Sequence, residues 1–283
     1  MGGTMTVRIV TDSTCDLPVE TIAQLRIHVI PLFINVGHQG YLDGIDISRE
    51  EFYTRLPHFP THPTTAVPST RQFINVYQGL AEEGASEVLS IHISRGLSGV
   101  IDVAGIAAQE TESTQVTVLD SRQLSLGTGF LVETAAKMAS AGSSMDEILH
   151  ALDDQVMRTR VFAALDTLEF LNRSGRMHRY VAGLGTLLQI KPILTMYDGQ
   201  PGSERVRTRE RALKRVIDML ASAGPLERVA MVHTHASEAD LATLRSSAGH
   251  LLPEGPILTV DITPVIGAHI GPGAVGFAIV QAA

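Results

Sequence analysis

The chain has 283 residues, 44% hydrophobic and 18% charged, a composition typical of α/β proteins and long enough for two cores. With 30 acidic residues against 22 basic, a formal charge of −8 and no basic block, it is poorly suited to nucleic acid or an anionic membrane as its main partner. A single cysteine, Cys15, excludes an internal disulfide and fits a reducing, cytoplasmic setting.

Met1 to Val10 holds too short an apolar run for a signal peptide, and Met1-Gly2 with Thr6 matches a myristoylation pattern only as short patterns do by chance. Val7 to Thr11 reads as a buried strand that ends at Asp12-Ser13-Thr14, and Pro18 suits the first turn of a helix over Val19 to Leu25. His28 to Asn35 reads as a second strand. Ser48 and Glu51 form a capping box before Phe52, Pro60 to Pro68 is a proline-bounded loop, and Ser69 caps a helix to about Ala81. Val88 to Ile93 is a strand, followed by Ser94 to Gly99 and a small-residue helix to about Gln109. Val116 to Leu119 is a strand ending at Asp120-Ser121, with helices over Gly127 to Ser140 and Met145 to Met157. This alternation is the pattern of parallel βαβ units.

From about Arg160 the pattern changes. Strands are expected at Val161 to Ala164, Pro192 to Met196, Val229 to Thr234, Ile257 to Val260 and Ala274 to Val280, with helices over Arg209 to Ala221 and Ala239 to Ser246. The expected architecture is therefore two-domain α/β: an N-terminal domain, residues 1–158, with a mainly parallel sheet flanked by helices, and a C-terminal mixed α/β domain, residues 159–283. Pro256 to Ala283, the most apolar stretch, is broken by Asp261, Pro264, His269 and Pro272 and cannot cross a bilayer as a helix, so no transmembrane anchor is expected.

Several chemistries fail on their spacing. A Walker phosphate loop needs a Gly-Lys pair that the chain lacks. Gly271 to Gly276 matches G-x-G-x-x-G, but no acidic residue follows at the required distance, and it reads as a turn before a strand. His233 with His235, and His58 with His62, lack the further ligands that zinc requires. Cys15 reads as a small residue at the edge of the core. No metal and no cofactor is expected.

Four polar clusters close predicted strands or open helices: Asp12-Ser13-Thr14, Pro63 to Ser69, Ser94 to Gly99, and Asp120-Ser121. Each alone reads as helix capping. Together on the carboxyl edge of a parallel sheet, where ligands bind, their hydroxyls and helix N-terminal amides suit an anion.

The same residues carry a resemblance that runs nearly end to end. Thr11 to Thr14 with Asp16-Leu17-Pro18, Tyr41 through Phe52, Pro63-Thr64-Thr65, Ile93-Ser94, Leu97-Ser98-Gly99, Asp120-Ser121, Gly175-Arg176, Lys191 to Leu194 and His269 with Gly271-Pro272-Gly273 resemble the DegV family. Characterised members of that family include fatty-acid-binding subunits of bacterial fatty acid kinase. The resemblance implies a carrier, not an enzyme: a long-chain fatty acid lies in a tunnel between the domains and its carboxylate is presented to an ATP-dependent kinase subunit. It implies that Thr65, Ser98 and His269 hold the head group, with Thr64 and Ser94 in the same hydroxyl set. Arg176, with Arg205 or Arg207, would then lie near the mouth. The chain departs from the family at Ala66, where Ser is usual, and at Val100-Ile101, where Thr-Tyr is frequent. Two other readings compete: a hydrolase or acyltransferase using Ser98, His269 and Asp120 as nucleophile, base and orienter, and a lipid-sensing module.

Burying a methylene gains ~0.8 kcal/mol, so about fourteen give roughly 11 kcal/mol. Association and chain ordering cost ~4–15 kcal/mol. A carrier of a chain of roughly sixteen carbons must therefore enclose most of it.

Overall fold

The computed structural model describes residues 6–180 and 190–283; the Met1-Gly2 pattern lies outside them. The first half runs β1 (Val7–Asp12), α1 (Val19–Gln24), β2 (His28–Ile30), β3 (Phe33–Val36), β4 (Gln39–Leu42), α2 (Arg49–Arg55), β5 (Thr64–Ala66), α3 (Thr70–Glu82) and β6 (Glu87–His92). There follow α4 (Val100–Glu110), β7 (Gln115–Asp120), α5 (Leu126–Ser140) and α6 (Met145–Arg158). The second half runs β8 (Thr159–Ala164), α7 (Glu169–Arg173), α8 (Met177–Tyr180), β9 (Lys191–Tyr197), β10 (Gln200–Val206) and α9 (Arg209–Ser222). It closes with β11 (Leu226–His233), α10 (Glu238–Ala248), β12 (Leu258–Asp261), α11 (Pro264–Ile270) and β13 (Val275–Gln281).

These elements build two α/β domains. The N-terminal one holds a parallel sheet in the order β2-β1-β6-β7, and the C-terminal one a mixed sheet in the order β10-β9-β8-β13-β11-β12. A small antiparallel sheet, β4-β3-β5, stands beside the first. All six residues of β6 are buried, as befits a parallel strand covered on both faces. Phe73, Tyr77, Val88 and Val100 fill one face of the parallel sheet with α3 and α4. The other face packs on α5, which also touches β8 and β13 of the second sheet. One apolar cluster therefore runs from Ile9 and Leu89 through Leu131 and Ile148 to Val161, Val232 and Ile266. The far side of the mixed sheet is closed by α9 and α10 around Phe162, Val216, Leu244 and Phe277. Among the described residues no helix is long and apolar enough to cross a membrane.

Local chemistry accounts for the boundaries. Ser144 and Glu147 form a reciprocal capping box on α6, and Ser69 with Gln72 does the same on α3. At Ser48 the hydroxyl accepts from the Glu51 amide (3.1 Å), fixing the start of α2. Two expectations need correction. His28 to Asn35 is two strands, because Pro31 supplies no amide donor and the chain leaves the parallel sheet for the small one. The loop from Pro60 to Pro68 contains β5, which pairs with β3 through Thr65 and Ile34. The connection between the strands at β8 and β9 carries the short helices α7 and α8. Beyond the expected elements, β10 returns from β9 through Asp198 and Gly199, both at positive φ, as a two-residue hairpin turn requires.

Candidate functional site

In the parallel sheet the chain steps from β1 outward to β2 and returns on the other side of β1 to β6. The order thus reverses between β1 and β6, and the loops that leave those two strands diverge there. A crevice at such a point is where α/β sheets bind ligands. A cavity of about 110 Å³ opens at this place, lined by Thr14 after β1 and by Ile93, Leu97, Ser98 and Gly99 after β6. Its remaining walls come from Thr65 of β5, from Arg176, and from Val265, Ile266, His269 and Ile270 of α11. Residues i, i+1, i+4 and i+5 of a helix share one face, so α11 turns a single stripe to the cavity.

The cavity is polar at one end and apolar beyond it. Thr65 Oγ1 and His269 Nε2 meet at 3.0 Å, joining β5 to α11. Ser98 also lines this cavity, two residues before the first turn of α4, so the positive end of that helix adjoins the same wall. A second chamber of about 40 Å³ lies against the mixed sheet and shares Leu124, Ile266 and Ile270 with the first. Val161, Ala163, Leu165, Leu194 and Met196 line it. The arrangement suits an amphiphile: an anionic or hydrogen-bonding head at the polar end, and an apolar body along the aliphatic walls.

The site residues expected from the sequence divide. Thr65, Ser98, His269 and Arg176 share the cavity wall. Thr64 and Ser94 stand outside it. Thr64 is exposed, on the edge strand β5. Ser94 is buried, but its Oγ accepts from the Gly96 amide (3.2 Å) and its carbonyl from the Ser98 amide (3.1 Å), so it shapes the turn that presents Ser98. Arg205 and Arg207 are exposed at the end of β10 and beyond, away from the wall. Ala66 lines the cavity with a methyl group, while Val100 and Ile101 are buried in the core. The alternative Ser98–His269–Asp120 triad is not assembled. Asp120 lies outside the wall and accepts from the backbone amides of Arg122 (2.8 Å) and Arg95 (3.3 Å).

A serine, a histidine and an aspartate do line up elsewhere. Ser90 Oγ lies 2.7 Å from His92 Nε2, and His92 Nδ1 lies 2.9 Å from Asp12 Oδ2. All are buried in the sheet, and Ser90 Oγ also accepts from the Tyr77 hydroxyl at 2.9 Å, so no substrate reaches the series. Burial would raise the Asp12 carboxyl, but the His92 bond and charge, with donors from Thr14 and Ile93, hold it below its usual value. Asp12 thereby anchors Thr14, which donates from both its amide (3.0 Å) and its hydroxyl (2.5 Å), at the cavity wall. Thr14 was legible as part of a polar cluster. Leu32, Leu124 and Leu171 carried no sequence signal, because an apolar cavity residue and a core residue look alike.

His233 and His235 flank Asp261, with Nδ1 atoms 3.6 and 3.7 Å from its carboxylate. Among the described residues no group of three His, Cys, Asp or Glu is disposed to hold a metal ion. Gly271-Pro272-Gly273 forms the turn from α11 into β13, with both glycines at positive φ.

Comparison with known proteins agrees with this geometry. The family model described as "Uncharacterised protein, DegV family" matches residues 6–282. A DegV domain-containing protein of Listeria monocytogenes is 35% identical over 277 residues, covering 95% of this chain and 96% of the relative. The solved structure of a DegV family protein from Thermus thermophilus, described for its fatty acid binding, is 33% identical with a TM-score of 0.87 and covers 98% of this chain and 100% of that one. DegV of Bacillus subtilis, described as a fatty acid binding protein, is 30% identical with a TM-score of 0.89 over the same shares of each chain. In its sequence from end to end, and in the two sheets that frame this cavity, the chain belongs to the DegV family.

Proposed function

We propose that this protein binds a long-chain fatty acid, with the carboxylate at Thr65, Ser98 and His269 and the acyl chain running inward between a domain of residues 1–158 and one of residues 159–283. The observation that carries the reading is the cavity itself: a hydroxyl–imidazole pair 3.0 Å apart at one end and aliphatic walls beyond. Relatives of the same fold, over nearly the whole chain, are described as fatty acid binding proteins, which supports the same ligand class here. Arg176, on the wall beside the head group, favours an anion and a carboxylate left accessible to a partner. The partner we propose is an ATP-dependent fatty acid kinase subunit that converts the presented carboxylate to an acyl-phosphate. The setting we propose is the cytoplasm.

The test is extraction of freshly purified protein into organic solvent followed by mass spectrometry. A near-stoichiometric fatty acid of roughly sixteen carbons is expected, and delipidated protein should rebind palmitic acid and gain thermal stability by mass action. Repeated extracts without lipid, together with no rebinding, would overturn the reading.

A further inference from the structure

Outside the wall of that cavity lies a buried ionic cluster that the binding reading leaves unused. Asp16 and Asp43 are both buried, 1% and 5% exposed, with the Arg49 guanidinium 3.0 Å from Asp16 Oδ1. Taking such charges out of water costs several kcal/mol per ion, and well-packed apolar side chains commonly serve stability better. A cluster of this kind is better explained by the geometry it enforces.

That geometry converges on one short segment. Three successive residues of the C-terminal domain, Asp261, Ile262 and Thr263, are each held by side chains of the N-terminal domain. Arg49 donates to the Asp261 carbonyl, and the Tyr53 hydroxyl donates to the Ile262 carbonyl at 2.9 Å. The Thr263 amide donates to Asp16 Oδ1 at 2.9 Å, and its hydroxyl donates to Asp43 Oδ2. Asp16 Oδ2 also accepts from Ser125 at 2.6 Å. Ser125 opens α5 with φ 51° and ψ −141°, backbone values that a non-glycine residue holds only when its surroundings impose them.

The segment so gripped is the start of α11. Thr263 is its N-cap and Pro264, with φ fixed by its ring, its first residue. Gly267 packs so closely on the Tyr53 ring that an added Cβ would overlap it. His269 lies six residues past Thr263 on a helix that rises ~1.5 Å per residue, too short a span to absorb a shift at its origin. We infer that Asp16 and Asp43, with Arg49, are positioning residues for the ligand site: by holding the Thr263 amide and hydroxyl they set where α11 places His269 against Thr65. This rests on the fatty acid reading above, and makes the head-group geometry a product of contacts between the domains.

The test compares wild type with Thr263→Val, Thr263→Ser and Asp43→Ala in the full chain. The ligand-independent readout is the long-range proton–nitrogen spectrum of the His269 ring at fixed pH, assigned by its loss in His269→Ala. The ligand readout is affinity for palmitic acid and for methyl palmitate, whose head carries no charge. Thr263→Val and Asp43→Ala should move the His269 nitrogen signals and weaken palmitate at least about tenfold, leaving methyl palmitate unchanged. Thr263→Ser, which keeps the hydroxyl and loses the methyl, should match wild type in every readout. His269 signals that coincide in all four proteins would overturn the proposal. So would Thr263→Ser behaving like Thr263→Val, or equal weakening of acid and ester. If wild type binds no palmitate while the His269 signals still follow the hydroxyl, the positioning stands and the fatty acid reading falls.

Discussion

Filling the inner chamber should change which fatty acids this protein retains, without touching a polar atom. Ala163, on β8, lines that chamber of about 40 Å³ with Leu194 and Met196. Such space takes one water-sized group per ~10–15 Å³, so the chamber accommodates about three methylenes. By the same measure the outer cavity of about 110 Å³ accommodates about nine. The ten-carbon acid therefore ends near the inner wall of the outer cavity, while palmitate must extend into the chamber. In Ala163→Phe the ring occupies that space. Three methylenes at ~0.8 kcal/mol are worth about 2.4 kcal/mol, or roughly sixtyfold in Kd. Palmitate should weaken by about that factor, and decanoate should not weaken. Calorimetric titration of delipidated protein with the ten-, twelve-, fourteen- and sixteen-carbon acids reads the effect. Wild type should tighten about fourfold per added methylene up to about thirteen carbons, where the two spaces are full, and the variant should stop tightening near about ten. A melting scan controls for overpacking, which costs ~1–3 kcal/mol. Equal losses at every chain length, or none, would refute the path of the acyl chain argued here.

Two further outcomes follow from buried ionisable groups. Burial pushes the Cys15 thiol up to about 12, so native protein at pH 8 should leave a thiol-specific disulfide reagent unreacted and release one equivalent only after unfolding; rapid native labelling would contradict the packing. Burial likewise raises the Asp16 carboxyl from 3.8 to about 6, against the opposing pull of Arg49. Because the folded value is the higher one, the folded state takes up this proton first. The resulting stabilisation is present below about 4 and is lost as pH rises through 6. Relative to Asp16→Asn, which does not titrate, wild type should gain up to about 3 kcal/mol between pH 7 and pH 4. Denaturant midpoints at the two pH values measure this, and a relative loss on acidification would reverse the sign of the argument.

Much of the architecture was legible in the sequence because it is written in local chemistry. Apolar runs that end in Ser, Thr or Asp mark β1, β6 and β7 and the edge where their loops gather. Capping residues at Ser48, Ser69 and Ser144 start helices where their hydroxyls meet the third amide or a reciprocal glutamine or glutamate. The motifs around Thr65, Ser98, Arg176 and His269 named a set of residues spread over some two hundred positions. Helix α11 was not read from the sequence: Pro264 and His269 stood only as breaks in an apolar stretch, and seven residues give too little periodicity to stand out.

What the sequence could not express is everything set by which surfaces face one another. Thr64 and Thr65 are adjacent threonines, and only the pairing of β5 with β3 decides which one reaches the cavity. Ser94 and Ser98 have the same chemistry, and the turn between them turns one inward to the backbone and leaves the other on the wall. Asp16, Asp43 and Arg49 read as ordinary polar residues of loops and a helix start. They become one device only because the second domain brings Thr263 against them, across more than two hundred residues of chain. Local propensity carries no information about such contacts, since their free energy exists only after two independently patterned domains have packed on α5.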